Sequence, residues 1–337
     1  YGYDVALQSD GKILVAGKWV GLQEDVLLAR YHANGMLDTT FGLGGTGLVT
    51  TNLAASGHDS ARSVLVQPDG KIVVAGYAFG TTALSVYDFA LVRYNPNGTE
   101  DTSFGVNGIV RTPISESADG SGVALQSDGK IVVAGRKQDP SSGGSVFAVA
   151  RYQANGSLDG GFGTGGIVAT DFGNGYDIPL CLAIQSDGRI VVAGYTSDGA
   201  QSSFALARYL TNGILDSTFG SGGKVVISLS NGHDYIESVA IQPDGKIVAG
   251  GPASNGADLD FVLARLNIDG SLDTSFGNGG SVMTPMGTGN DELHGLALQS
   301  DGRIVATGSV NTGTAIVVGL VRYLTDGSID ATLNDEG

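Results

Sequence analysis

Four short pairs of residues combine a carboxylate with a neighbour able to donate, accept or ligate: His58–Asp59, Tyr176–Asp177, His233–Asp234 and Asn290–Asp291. Each aspartate stands ten residues before the aspartate of an Asp-Gly pair, at Asp69, Asp187, Asp244 and Asp301, so the four occupy one slot of a recurring pattern. Brought together, Asp59, Asp177, Asp234 and Asp291 would form a hard oxygen site of the kind Ca²⁺ fills with roughly six to eight ligands. Calcium is the one cofactor the sequence suggests. The plainer reading, that each aspartate caps its own turn, carries more weight. His58 and His233, with His294 close to the same place in the last copy, are residue types that ligate metals or act as general bases. Tyr176 and Asn290 fill the equivalent positions, which reads as a tolerant exposed polar slot. All eight residues are therefore candidate binding positions, and none is assigned as catalytic.

Other chemistry finds little footing. The stretch from Asn267 to Asp273 resembles an acidic calcium loop, but its equivalents recur in every copy as a hairpin turn. There is no GxSxG elbow or SxxK pairing for a serine nucleophile, no P-loop, no CxxC and no dinucleotide fingerprint in a βαβ unit. Cys181 is the single cysteine, so no intramolecular disulfide is possible. With 34 acidic against 18 basic residues, the formal charge is −16. A polyanion would be repelled, which argues against nucleic acid as a partner. No apolar run approaches the about 18 residues that span a bilayer, so membrane insertion is not expected. The chain opens on YGYDVALQ, which reads as a processed or trimmed start with any signal peptide already gone.

The elements that must position these residues are legible from an internal period. The segment Gln-Ser/Pro-Asp-Gly-Lys/Arg-Ile recurs with its aspartate at Asp10, Asp69, Asp128, Asp187, Asp244 and Asp301, at intervals of 59, 59, 59, 57 and 57. A second segment follows each copy, as FALVRYNPNGTEDTSFG or FVLARLNIDGSLDTSFG, with its arginine at Arg30, Arg93, Arg151, Arg208, Arg265 and Arg322. Each copy reads as four strands: a short alternating one, an Asp-Gly turn, a β-branched run such as KIVVAG, a third strand such as FALVRY, and a last one such as GIVRT. The 55 glycines suit many tight turns. One such unit cannot bury both faces alone, so copies must pack face to face, and radial closure is the solution that protects edges.

The expectation is an all-β, six-bladed β-propeller of four-stranded antiparallel blades forming a single domain over 1–337. Its repeats run approximately 1–58, 59–117, 118–176, 177–233, 234–290 and 291–337. The sixth ends SIDATLNDEG without the FGxGG turn, so the last blade is expected to be incomplete or closed by residues outside this chain. The residue six before each Asp-Gly aspartate is small or short (Asp4, Ser63, Gly122, Cys181, Ser238, Gly295), as crowding on an innermost strand requires. That makes Cys181 a packing residue.

Subtracting the repeated skeleton localises the charge. Six Lys or Arg follow the Asp-Gly turns and six are the FALARY-type arginines, which leaves 6 of 18. Twelve aspartates belong to the two turns, which leaves 22 of 34 acidic residues. The skeleton is neutral, and the excess lies in variable segments at 50–61, 77–88, 136–146, 228–234, 252–260 and 284–291. These connections emerge on one face, where loops on a rigid scaffold carry recognition.

The QSDGKIVVAG, FALARY and LDTSFGxGG signatures resemble the delta-60 repeat family of bacterial surface or secreted proteins, over essentially the whole chain. The resemblance implies a propeller and an extracellular or cell-surface setting, and carries over no catalytic residue. The expected function is a binding or scaffold propeller that presents variable acidic loops to a protein or carbohydrate ligand. A calcium-dependent hydrolase or lactonase, with its site at a central channel mouth, is the alternative.

Overall fold

A computed structural model describes residues 1–54, 57–80, 86–114, 117–173 and 175–334. Parts of the variable segments at 50–61 and 77–88 lie outside the described residues. The chain divides into two compact units, Tyr1–Thr170 and Asp171–Gly337. Among the described residues, all regular structure is strand except one 3₁₀ turn, Ala331–Asn334. No helix there is long and apolar enough to cross a membrane.

In the first unit the strands are β1 (Gly2–Leu7), β2 (Ile13–Val20), β3 (Glu24–Tyr31) and β4 (Leu48–Thr51) in repeat one. Repeat two supplies β5 (Ser60–Val66), β6 (Ile72–Phe79), β7 (Tyr87–Tyr94) and β8 (Ile109–Thr112). Repeat three supplies β9 (Ala118–Leu125), β10 (Ile131–Gln138), β11 (Ser145–Tyr152) and β12 (Ile167–Thr170). The second unit holds β13 (Tyr176–Ile184), β14 (Ile190–Ser197), β15 (Ser202–Tyr209) and β16 (Lys224–Ile227) of repeat four. Repeat five follows with β17 (Ser238–Ile241), β18 (Ile247–Ser254), β19 (Leu259–Leu266) and β20 (Ser281–Thr284). Repeat six has β21 (Glu292–Leu298), β22 (Ile304–Asn311) and β23 (Ile316–Tyr323). Within a repeat, sequential strands pair antiparallel.

The blade count needs correcting. Six blades were expected, but the strands form five sheets. Four of these are separate blades of three or four strands, and the fifth runs to eight. A sequence period numbers quartets of strands. It does not register whether backbone groups at a quartet's edge pair onward, because every residue type carries those groups. Where TLN replaces the FG turn in repeat six, no fourth strand forms among the described residues.

The repeated residues do structural work in every copy. The Asp-Gly turn closes with Gly11 N–H donating to the Gln8 carbonyl at 2.9 Å, and Gly11 takes φ 79°, which a side chain would strain. In the first five repeats the FALARY-type arginine lies over its own repeat's phenylalanine, as Arg30 does 4.4 Å from the Phe41 ring centroid. From there it donates to a carbonyl of the next repeat's turn, Arg30 Nη1 to Pro96 O at 2.6 Å. The glycine after that phenylalanine adds a backbone bond to the same turn, Gly42 N to Asn97 O at 2.8 Å. Arg265, Phe276 and Gly277 make the same clamp on the turn at Thr325 and Asp326 in the second unit. Between these latches, apolar residues of adjacent repeats form the core, such as Leu14, Leu28, Val64 and Val74 in the first unit.

Candidate functional site

The four aspartates of the sequence pattern are buried, and each is engaged by the connection that leads into it from the preceding repeat. Asp59 Oδ2 accepts the N–H groups of Leu53 and Ala54 at 2.7 and 2.9 Å, and its Oδ1 accepts that of Phe79 at 3.0 Å. Asp177 accepts from Phe172 N at 2.7 Å and from Thr196 Oγ1 at 2.6 Å. Asp234 accepts from Leu229 N, Ser230 N and Ser230 Oγ. Asp291 accepts from Met286 N, Gly287 N and Asn311 N at 2.9, 2.7 and 3.0 Å. These carboxylates staple the inter-repeat connection to its own blade, as a turn cap does. Burial raises the pKa of Asp59 and Asp177 above the ordinary carboxylate value. Among the described residues, no group of three or more His, Cys, Asp or Glu is placed to hold a metal ion.

Their neighbours do face outward, but not as one cluster. His58 lies with its side chain 58% exposed, 3.5 Å from Glu24, and Tyr176 is exposed. Asn290 Oδ1 accepts from Leu259 N at 3.2 Å. His233 stacks on Tyr235, centroids 6.0 Å apart and rings 5° from parallel, and its Nδ1 is 3.2 Å from Ser202 Oγ. Cys181 is a packing residue, its Sγ 3.7 Å from the Ala193 carbonyl, and burial raises its thiol pKa.

A row of residues that the sequence reading passed over stands out instead. The first strand of five repeats is bulged at the residue before the small slot, as between Ala61 and Ser63 and between Leu293 and Gly295. The bulged residues are Tyr3, Arg62, Ser121, Leu180 and His294, and Glu237 holds the equivalent position, its N–H donating to Gly250 at 2.9 Å. A bulge re-aims its side chain and increases local twist. Its partner is the glycine that ends each VVAG run. A Cβ on Gly76 would lie 2.0 Å from the Ser60 carbonyl oxygen, and one on Gly308 would lie 1.9 Å from that of Glu292. That glycine, in every copy beside a small slot, was the available signal; an isolated strand glycine marks a bulge or a close backbone approach.

Arg62 and His294 each touch the counterpart in the preceding repeat and the residue after the glycine that closes the second-strand run in their own. In the first unit, the Arg62 guanidinium lies 4.4 Å from the Tyr3 ring centroid and 5.4 Å from that of Tyr77. Tyr77 meets Tyr87 edge-on at 5.0 Å. Beside them Lys18 pairs with Glu24 at 2.6 Å. In the second unit, His294 Nδ1 is 2.7 Å from Glu237 Oε2, and its Nε2 is 3.3 Å from Ser309 Oγ. Glu237 raises the His294 pKa above that of a free imidazole. Tyr195 and Tyr235 meet edge-on at 4.6 Å. The arrangement offers aromatic faces flanked by charged groups, half-buried, with Arg62, Tyr77, Tyr195 and His294 on strands and Tyr235 and Glu237 in the segment that enters β17.

A groove of about 480 Å³ opens near the turns of repeats four and five, lined by Arg208, Lys246, Asn267, Ile268 and Asp269. Its cations are already spoken for, Arg208 by Asp216 at 2.8 Å and Lys246 by Asp273 at 2.9 Å.

Among solved structures, the chain is similar to an α-L-arabinofuranosidase, Arb93A from Fusarium graminearum, at 11% identity and a TM-score of 0.53, over 95% of this chain and 92% of that one. It is similar as well to a polysaccharide lyase, a PL25 ulvan lyase, at 12% identity and a TM-score of 0.53, over 96% and 80%. At such identities the likeness is one of fold. A search of curated proteins finds no match. The model of the family described as "Domain of unknown function (DUF5122) beta-propeller" matches residues 8–41, 67–104, 126–162, 185–219, 242–276 and 299–333. That description does not carry the delta-60 name suggested by the QSDGKIVVAG and LDTSFGxGG signatures. The matched segments take in well over half of the chain and contain its repeated turns and third strands, and the chain belongs to this DUF5122 β-propeller family.

Proposed function

We propose that the protein is a carbohydrate-binding propeller, displayed outside the cell, that holds neutral glycan at the bulge positions within each unit. The observation that carries this reading is aromatic rings beside polar and charged side chains at and next to the bulge positions: in the first unit Arg62 on the Tyr3 and Tyr77 rings, and in the second Tyr195 edge-on to Tyr235, two residues before Glu237, with the His233 ring stacked on Tyr235. Sugar rings present C–H faces that lie on aromatic planes and hydroxyls that bridge carboxylate, imidazole and guanidinium groups, so a half-buried mixture of the two suits them. A strongly acidic chain disfavours an anionic polymer. Two propellers of similar fold are named for carbohydrate substrates, which is in keeping with the reading without establishing it.

Calorimetric titration with neutral oligosaccharides tests the proposal. Arg62→Ala should weaken binding in the first unit and Tyr235→Ala binding in the second, each at least about tenfold, a loss of roughly 1.4 kcal/mol. Unchanged affinity in both variants refutes the site. Capture of a protein ligand, with no glycan bound, refutes the ligand class.

A further inference from the structure

We infer that Ser309, His294 and Glu237 form a hydrolytic relay that cleaves a carboxylic ester carried by a bound saccharide. The ester's saccharide half rests on the binding reading above; the relay rests on its own geometry. Ser309 Oγ lies 3.3 Å from His294 Nε2, and His294 Nδ1 lies 2.7 Å from Glu237 Oε2. Nucleophile, base and orienting carboxylate are thus in series, the relationship by which such sites are recognised on unrelated folds, whatever their order in the chain. Here the order is Glu, His, Ser, and no GxSxG elbow is involved, so motif reading passes over it.

Three features argue for a held arrangement. Ser309 sits inside β22, paired to Glu292 on one side and Val318 on the other. His294 is the bulged residue of β21, between the fully buried Leu293 and the small Gly295. Glu237 follows the fully buried Ile236, and its N–H is fixed on Gly250 O at 2.9 Å. Both ionisable side chains remain accessible, 47% for His294 and 31% for Glu237, so a substrate can reach them. The charged groups acting on the imidazole are Glu237 and, on its own strand, Glu292.

In the first step Ser309 Oγ bonds to the acyl carbon while its proton passes to His294 Nε2. The ester C–O bond breaks, and the departing sugar oxygen takes that proton. Water, deprotonated by the same nitrogen, then attacks the acyl-serine; the Oγ–acyl bond breaks, the carboxylic acid leaves, and Ser309 Oγ takes the proton back from Nε2. Glu237 is a positioning residue: its bond to Nδ1 fixes the tautomer that leaves Nε2 free to accept a proton.

The test uses the whole chain with a fluorophosphonate probe, p-nitrophenyl acetate and an acetylated oligosaccharide. The expected result is covalent labelling of Ser309 and acetate release, both lost in Ser309→Ala and falling about a hundredfold in His294→Ala. In Glu237→Gln the pH–rate profile should move to lower pH, because the group that raises the His294 pKa is gone; a merely structural role would leave the profile in place. A wild-type chain not labelled at Ser309, or hydrolysis equal in wild type and Ser309→Ala, overturns the relay. Oligosaccharide affinity, measured separately on Ser309→Ala, judges the binding reading alone. Labelling of Ser309 without glycan affinity would sustain the relay and overturn its saccharide substrate.

Discussion

Arg93 Nε and Asp101 Oδ2 lie 2.8 Å apart, with side chains only 6% and 8% exposed, and Lys71 Nζ reaches the same oxygen at 3.0 Å. The grouping recurs as Lys12 and Arg30 on Asp38, and as Lys246 and Arg265 on Asp273. Arg189 and Arg208 converge on Asp216 in the same way, as do Arg303 and Arg322 on Asp330. The Asp-Gly aspartate beside the same turn cation, as Asp10 is 3.2 Å from Lys12 and Asp128 3.2 Å from Lys130, brings the balance of the repeated skeleton to neutral in those repeats. Removing Arg93 takes a charge-assisted bond from the buried Asp101 and leaves its Oδ2 to Lys71, so Arg93→Ala should destabilise the first unit by about 1.5–3 kcal/mol. Denaturant unfolding of the variant checks this, and a loss below ~1 kcal/mol contradicts it.

The same aspartates set the acid limit. Burial works against the charge on Asp101, but bonds from Ser103 and Lys71 and the Arg93 charge outweigh it and hold its pKa well below the usual value. Asp38 and Asp273 are lowered likewise, each led by a hydroxyl bond, from Thr40 and Ser275. A lowered carboxylate contributes stability that is complete above its unfolded pKa of ~3.9 and is lost as the pH falls. Asp59 and Asp177, raised by burial, act in the opposite sense: their contribution is present at low pH and disappears as the pH rises through their folded pKa. The lowered group recurs in all six repeats, so its effect prevails. The thermal midpoint should fall steadily from pH 4 towards pH 2, and a flat profile would count against the skeleton as a source of stability.

Gly76 is one of the glycines where the bulge is exposed to mutation. A methyl group there would meet the Ser60 carbonyl oxygen at 2.0 Å, and that atom is backbone. Gly76→Ala should cost about 3 kcal/mol or more. Gly160→Ala, where nothing lies within 4 Å, is the control and should be neutral. Comparable midpoints for the two variants would mean that the bulge relaxes freely.

Asp291 offers a test of the stapling carboxylates. Asp291→Ala strands the N–H groups of Met286, Gly287 and Asn311, and each unmet buried donor costs ~1–3 kcal/mol. Since protein donors already occupy the carboxylate, adding Ca²⁺ or excess chelator should leave the wild-type midpoint unchanged. A calcium-dependent rise in the midpoint that vanishes in Asp291→Ala would restore the ion site.

Strands and turns were legible because apolar alternation and Asp-Gly pairs act within a few residues. Asp59 and Asp177 were legible as a repeated slot, and of the two readings given to them the local one matches their hydrogen bonds. The number of sheets was not, since edge pairing depends on backbone groups common to every residue. Nor was the row of Arg62, Glu237 and His294. Its members share no residue type, and only the glycine facing them repeats. A search for recurring chemistry discards such a set, because it varies wherever the scaffold stays constant.

That separation has an evolutionary consequence. At Tyr3, Arg62, Ser121, Leu180, Glu237 and His294 the backbone is held by a glycine across the ladder, and at the last five by a buried preceding residue as well, so the side chain itself is free of architectural duty. Six unlike residues already occupy six equivalent sites. Duplication of the unit followed by drift at one codon per copy could therefore generate new specificities without first passing through unstable intermediates.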